Sequence, residues 1–279
     1  MVEGIHFDLS FMTPFQLGFK LVARNVSDIF AMAGEPEFLL LNICIPLNDG
    51  LKDFLNPFFD GIEEGLKRYN VALIGGDFSS SPGRIYLSAT LTGFSKKPVL
   101  RSGAGLQDRI YVTGTLGDSA CGLEILKRRP ELPSGTKDFL IRRHLMPEPQ
   151  AVHRKVEKIH AMIDISDGLC LDLWRLCRES GAGAIIYEEK IPISAEMKEA
   201  ATLLGMDPLG LALSGGEDYE MLFTTDEVLQ IEGITEIGMI VHKEEGSTAG
   251  TEIKIITRDG LIRPLKPEGY IHGERKTSG

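Results

Sequence analysis

Residues 161–181 read AMIDISDGLCLDLWRLCRESG. Met162, Ile163 and Ile165 form a short apolar run bounded by a turn signal, which predicts a strand. Asp167 and Gly168 are turn formers. From Leu169 the apolar residues fall at helical spacing until Gly181, so a helix follows. Cys170 and Cys177 lie seven apart on it, which suits a buried face. The stretch is thus strand, turn and helix in sequence.

Working outward, "RIYVTGTLGDSACGLEILKRR" at 109–129 repeats that order. Helices are predicted at about 136–144 and 149–159, and "AGAIIYEE", "YEMLFTT" and "TEIGMIV" read as strands. Residues 95–108 mix Pro, Gly and charge without periodicity and mark a domain boundary, giving 1–100 and 101–279. Before it, Thr13 and Pro14 open a helix as N-cap and first residue, and Gly34 with Pro36 stops it. "FLLLNICIP" is a strand, and a second helix over about 50–69 is interrupted by Pro57. "VALIGGD" reads as a buried strand running into a glycine turn, and "RIYLSATLTGF" as a long strand. The opening "MVEGIHF" alternates apolar and polar residues like a strand. Two blocks that each mix β and α predict an α+β protein.

Composition narrows the function classes. The chain has 279 residues, 43% hydrophobic and 25% charged, as in ordinary soluble domains. No apolar run is long enough to span a membrane and no basic-then-apolar leader is present, so a cytoplasmic location is expected. Cys44, Cys121, Cys170 and Cys177 lack metal-type spacing and read as reduced core thiols. The net charge of -10 argues against non-specific nucleic-acid binding. It leaves anionic substrates open if metal ions or arginines bridge like charges.

The carboxylates near turns are the informative residues. Asp164 and Asp167 flank Ser166 at the strand-to-helix turn. Such crowding raises a carboxylate pKa unless a cation offsets it, and hard oxygen ligands suit magnesium. Asp77 follows Gly-Gly at a strand exit, where the glycines admit a close ligand or backbone. Asp28 shares a helix face with Lys20 and Arg24, which alone reads as a surface ion-pair ladder. "SGGEDYE" puts Glu217 and Asp218 behind a glycine turn. Arg101 lies in the inter-domain segment, where a guanidinium could clamp phosphate. Each of these has a bland reading as a turn, cap or solvated residue. There is no P-loop, HExxH or nucleophile elbow. The combination fits metal-assisted phosphoryl transfer, which rests on positioning and charge neutralisation.

The order "VEGIHF", "NVSDIFAMAGEP", "LIGGD", "RSGAGLQDRIYVTGTLGDSACGL", "IDISDGL", "SGGEDYE" and "GYIH" resembles the thiamine-monophosphate kinases along essentially the whole chain. That resemblance implies a two-domain, aminoimidazole ribonucleotide synthetase-like α+β fold. The N-terminal strands would form a β-barrel at a homodimer interface, and the C-terminal domain would be α/β. It implies ATP-dependent phosphorylation of thiamine phosphate to thiamine diphosphate, with several magnesium ions and no covalent nucleophile. Carried over by position, Asp28, Asp77, Asp164 and Asp167 would be magnesium ligands. Gly76, Arg101 and Ser166 would contact ATP, and His6, Glu217 and Tyr270 would line the thiamine phosphate site.

The family pattern also has a Gly-Asp-Asp motif and a Thr-Asp pair ahead of "VEG", so an incomplete N-terminus is expected here. Phe78 stands where threonine is common, and "GYIHG" lacks the usual phenylalanine. The alternatives are a non-catalytic relative that binds nucleotide or thiamine phosphate, and an aminoimidazole ribonucleotide synthetase-like ligase.

Overall fold

The computed structural model describes residues 1–47, 51–243 and 253–270. The chain divides into two compact units, Met1–Pro98 with Leu145–Lys155, and Val99–His144 with Val156–Gly279. The excursion 145–155 therefore crosses the division at residue 100 expected from composition.

In the first unit, helix α1 spans Pro14–Phe30 and opens with a capping box. The Thr13 hydroxyl accepts from the Gln16 N–H at 3.3 Å, and the Gln16 side chain accepts from the Thr13 N–H at 2.9 Å. Helix α2, Leu51–Tyr69, runs unbroken through Pro57. The interruption expected there does not occur because the lost hydrogen bond falls on the Asp53 carbonyl, in the exposed first turn where water can satisfy it. The two helices touch backbone to backbone. A Cβ on Gly61 would lie 1.9 Å from the Phe15 carbonyl oxygen, and one on Gly18 2.2 Å from that of Phe58.

Strands β1 (Glu35–Ile45), β2 (Ala72–Ser80) and β3 (Tyr86–Phe94) form a sheet in the order β2-β1-β3. β1 pairs parallel with β2 and antiparallel with β3. Leu39, Leu41, Ile43 and Ile45 of β1 are buried. β2 overturns two expectations. It continues through both glycines to Ser80 instead of turning, and every residue in it is exposed, including Leu73, Ile74 and Phe78. Apolar content marks a surface that favours burial, but does not say whether this chain's own core covers it. Among the described residues the sheet is open, with β2 and β3 as its edges, and no barrel closes within the chain.

Three further expectations fail locally. "MVEGIHF" is a turn with isolated bridges rather than a strand, because Gly4 takes a φ of 74° and breaks the alternation. Residues 149–159 form only a short 3-10 turn at Val152–Arg154, where the Arg154 and Lys155 N–H groups donate three residues back to Ala151 and Val152, so no α-helical ladder is built. Lys20 is fully buried and Arg24 half-buried, so Lys20, Arg24 and Asp28 are no surface ladder.

The second unit holds β4 (Arg109–Thr113), α3 (Asp118–Arg128), α4 (Ser134–Leu145), β5 (Ala161–Ile165), α5 (Leu169–Ser180) and β6 (Gly183–Tyr187). It continues with α6 (Ala195–Leu204), α7 (Pro208–Ser214), β7 (Glu220–Thr225), β8 (Ile234–Val241), β9 (Ile253–Ile256) and β10 (Ile262–Leu265). The seven strands run β10-β9-β6-β8-β4-β7-β5. Only β6–β9 is parallel, and every other pair is antiparallel. This is α+β architecture rather than a doubly wound parallel sheet. Ile110, Val112, Ile163, Leu173, Leu176, Cys177 and Leu222 belong to its core. The four cysteines are free thiols. Among the described residues no helix is long and apolar enough to cross a membrane.

Candidate active site

The turn after β5 is the meeting point of the second unit. Asp164 is the penultimate residue of β5 and buried, paired in register with Met221 of β7. Ser166 and Asp167 follow, half-buried, before α5 begins at Leu169. Two other segments dock onto this turn through their backbones. The Glu217 N–H donates to the Ser166 carbonyl at 2.8 Å, and the Tyr219 N–H to that of Ile165 at 2.9 Å. The Tyr270 N–H donates to the Asp167 carbonyl at 3.0 Å. Glu217 and Tyr270, both far along the sequence from Asp164, Ser166 and Asp167, are thereby brought to the same turn.

The turn is held from inside. Asp172 is fully buried in the first turn of α5. Its Oδ2 accepts from the N–H groups of Ser166 (3.1 Å), Asp167 (2.9 Å) and Gly168 (3.2 Å). Arg175 donates to the other oxygen of Asp172 at 2.7 Å and to the Asp167 carboxylate at 2.5 Å. Burial pushes the Asp172 carboxyl up to about 6 against the pull of these donors. Part of the neutralisation expected of a metal at this turn is thus supplied by Arg175.

The Glu217 loop is fixed by a second buried system. Glu217 and Tyr219 both have left-handed φ values, 66° and 53°. Such backbone is held only where its surroundings over-determine it. Asp218, between them, accepts from the N–H groups of Gly117 (2.7 Å) and Ser119 (3.2 Å) at the start of α3. Burial pushes its carboxyl up to about 7. Arg143 of α4 donates to Glu220 at 2.7 Å, and its Nε lies 3.6 Å from Asp118. Burial raises Asp118 and Glu220 as well. It would lower the guanidinium of Arg143, which Glu220, Asp218 and Asp118 instead hold above its ordinary value. His144 Nδ1 lies 3.1 Å from the Ser119 hydroxyl and 3.7 Å from the Glu217 carboxylate.

Arg101 is exposed on the segment before β4. Its carbonyl accepts from the Ser180 hydroxyl at 3.0 Å, and that of Leu100 accepts from the Met162 N–H at 3.0 Å. It therefore lies beside the start of β5, while Asp164 lies near the other end.

The remaining predicted residues sit on three elements of the first unit. Asp28 is exposed in the last turn of α1. Gly76 and Asp77 lie on β2 opposite Leu41 and Asn42 of β1. A Cβ on Gly76 would fall 1.8 Å from the Leu41 carbonyl oxygen, so only glycine admits this approach. His6 Nδ1 accepts from the Val2 N–H at 3.0 Å, in the segment that bridges to β3 at Tyr86. β1 separates that edge from the Asp77 edge.

Among the described residues no three His, Cys, Asp or Glu side chains gather closely enough to hold a metal ion alone. Magnesium commonly takes one or two carboxylates and completes its shell with water and substrate phosphates. Asp164 and Asp167, hard oxygen donors beside one turn, fit that donor pattern.

Sequence reasoning missed Asp172, Arg175 and Arg143, and left Asp218 unassigned. An acid in the first turn of α5 followed three residues later by Arg was a usable signal for the first pair. Nothing local marked Arg143.

This two-unit α+β chain matches the AIR synthase related proteins. Their N-terminal domain matches residues 1–95 and their C-terminal domain residues 107–250. Thiamine-monophosphate kinase from Aquifex aeolicus is 35% identical over 274 residues, spanning 97% of this chain and 85% of that protein. The enzyme of the same name from Salmonella typhimurium is 35% identical over 281 residues, spanning 98% and 84%. A solved structure, AaThiL complexed with AMPPCP and TMP, matches with a TM-score of 0.87 at 34% identity, over 98% of this chain and 84% of that one. The chain belongs to the thiamine-monophosphate kinase family.

Proposed function

We propose that this chain transfers the γ-phosphoryl group of ATP to thiamine phosphate, giving thiamine diphosphate. The observation that carries the residue assignment is the convergence of the Glu217 loop and Tyr270 on the turn bearing Asp164, Ser166 and Asp167. A phosphate-binding group and a substrate-binding group must lie together for direct transfer. Asp164 and Asp167, with Asp28 and Asp77 of the first unit, are assigned as magnesium ligands. Gly76, Arg101 and Ser166 are assigned to ATP. His6, Glu217 and Tyr270 are assigned to thiamine phosphate, with the Tyr270 ring stacking on the thiamine and Glu217 aimed at a polar ring group. Magnesium, when bound, offsets charge on the transferring phosphoryl group. The chain's own residues orient the acceptor phosphate oxygen in line with the γ-phosphorus, and no side chain needs to form a covalent intermediate.

The exposed apolar edge strand β2 supports a homodimer in which two copies complete a barrel. The test is thiamine diphosphate formation from ATP, magnesium and thiamine phosphate by the purified protein. Product that requires all three components is expected. Its absence, or turnover of an amidine substrate instead, would overturn the reading.

A further inference from the structure

The backbone of the 166–168 turn has the form of an anion cradle. Three successive N–H groups converge just before a helix, as in loops that grip phosphate. Here the cradle is already filled. Asp172 Oδ2 accepts from the N–H groups of Ser166, Asp167 and Gly168, and no part of that carboxylate is exposed. Its other oxygen meets Arg175, which also grips Asp167. What the turn leaves half-exposed is the Ser166 and Asp167 side chains, just after the buried Asp164, while the amides face in. We propose that Asp172 is a positioning residue that converts this turn from an anion-binding to a cation-binding one, fixing Asp167 for a divalent ion.

This rests on the kinase reading above, in which Asp164 and Asp167 face magnesium. An ordinary helix cap would engage the first amides of its own helix. Asp172 instead reaches back past the start of α5 to the loop amides, and it shares Arg175 with the residue assigned to the metal. Three carboxylates and one guanidinium leave the turn with net negative charge, which favours a cation and repels free phosphate.

The experiment uses Asp172→Ala and Asp172→Asn, with three readouts. The first is amide hydrogen exchange in the metal-free protein. Exchange at Asp167 and Gly168 is expected to rise at least tenfold in Asp172→Ala, with β5 unchanged. The second is Mn2+ binding in the presence of a non-hydrolysable ATP analogue, read by electron paramagnetic resonance. Kd is expected to rise at least tenfold in Asp172→Ala and less in Asp172→Asn. The third is rescue. Formate, which can occupy the emptied carboxylate position, should restore Mn2+ affinity in Asp172→Ala but not in Asp172→Asn, where the position is filled.

Wild-type exchange at Asp167 and Gly168 in both variants would overturn the proposal. So would wild-type Mn2+ affinity, or lost affinity in Asp172→Ala that formate fails to restore. If Asp172→Ala does not fold, Asp172→Asn carries the Mn2+ test, because its amide oxygen can still accept from the turn while the charge facing Arg175 is gone. Failure of the kinase reading would show separately, as a wild-type protein that makes no thiamine diphosphate while its 166–168 amides remain protected.

Discussion

Replacing Arg143 by Met should destabilise the second unit in a pH-dependent way. Arg143 is the cation the structure places against three buried carboxylates, Asp118, Asp218 and Glu220. Its side chain is 16% exposed, so solvent screening is weak. Met roughly keeps the stem's volume and removes the charge. Breaking a buried ion pair from one side costs about 3–5 kcal/mol, because the partner stays buried and unpaired. We therefore expect a loss of about 4 kcal/mol at pH 8.

The loss should shrink as pH falls. Burial raises the carboxyl of Asp218 to about 7, and those of Asp118 and Glu220 upward. A folded value above the unfolded one means that the native state holds the extra proton. Such groups favour folding most below their unfolded range, and that contribution is lost as pH rises through the folded value. Without Arg143 these values climb further, so above about pH 7, where wild-type Asp218 gives up its proton, the variant keeps about one more proton than wild type. That pH unit recovers about 1.4 kcal/mol, leaving a deficit of about 2.6 kcal/mol at pH 6.

Urea unfolding of both proteins at pH 6 and pH 8 measures this. The chain's single tryptophan, Trp174 on α5, reports on the same unit, so other transitions do not obscure it. Arg143→Lys, which keeps the charge, should lose less at pH 8. A deficit below about 1 kcal/mol at pH 8, or one equal at both pH values, would refute the account of this cluster.

Two further outcomes follow from the geometry. Glu217→Gln should raise KM for thiamine phosphate about tenfold or more with little change in KM for ATP, since a charged hydrogen bond is worth about 1.5–3 kcal/mol; equal shifts for both substrates in steady-state assays would remove Glu217 from the thiamine phosphate site. Gly61→Ala should cost the first unit about 3 kcal/mol, because its Cβ would sit 1.9 Å from the Phe15 carbonyl oxygen and must separate α1 from α2; an unchanged calorimetric transition for that unit would contradict the close helix contact.

What could be read from the chain and what could not divide along a physical line. Helix α1 was legible because the adjacent Thr13 and Pro14 carry its start signal. The turn at Asp167-Gly168 was legible for the same reason, since a few adjacent residues decide it. β2 was misread because Leu73 and Ile74 record only that burial is favourable, not which surface supplies it. The segment 149–159 was misread because apolar spacing does not separate an α-helix from a single 3-10 turn. The buried charges lie beyond local reading altogether. Asp118, Arg143, Asp218 and Glu220 meet only after α3, α4 and the strand β7 are packed, and each looks alone like an ordinary polar surface residue. The site shows the same contrast. The acids assigned to magnesium announce themselves by crowding at a turn, as Asp164 and Asp167 do. The residues that hold them in place, Asp172 and Arg175, sit on a helix face where an acid and a base three apart are commonplace. Only their burial and their reach back to the 166–168 amides separate them from a surface pair. Roles that depend on exposing a side chain can therefore be sought in short motifs. Roles that depend on burying a charge need the packed structure, because the same residue is a stabilising anchor or an unaffordable cost according to its neighbours.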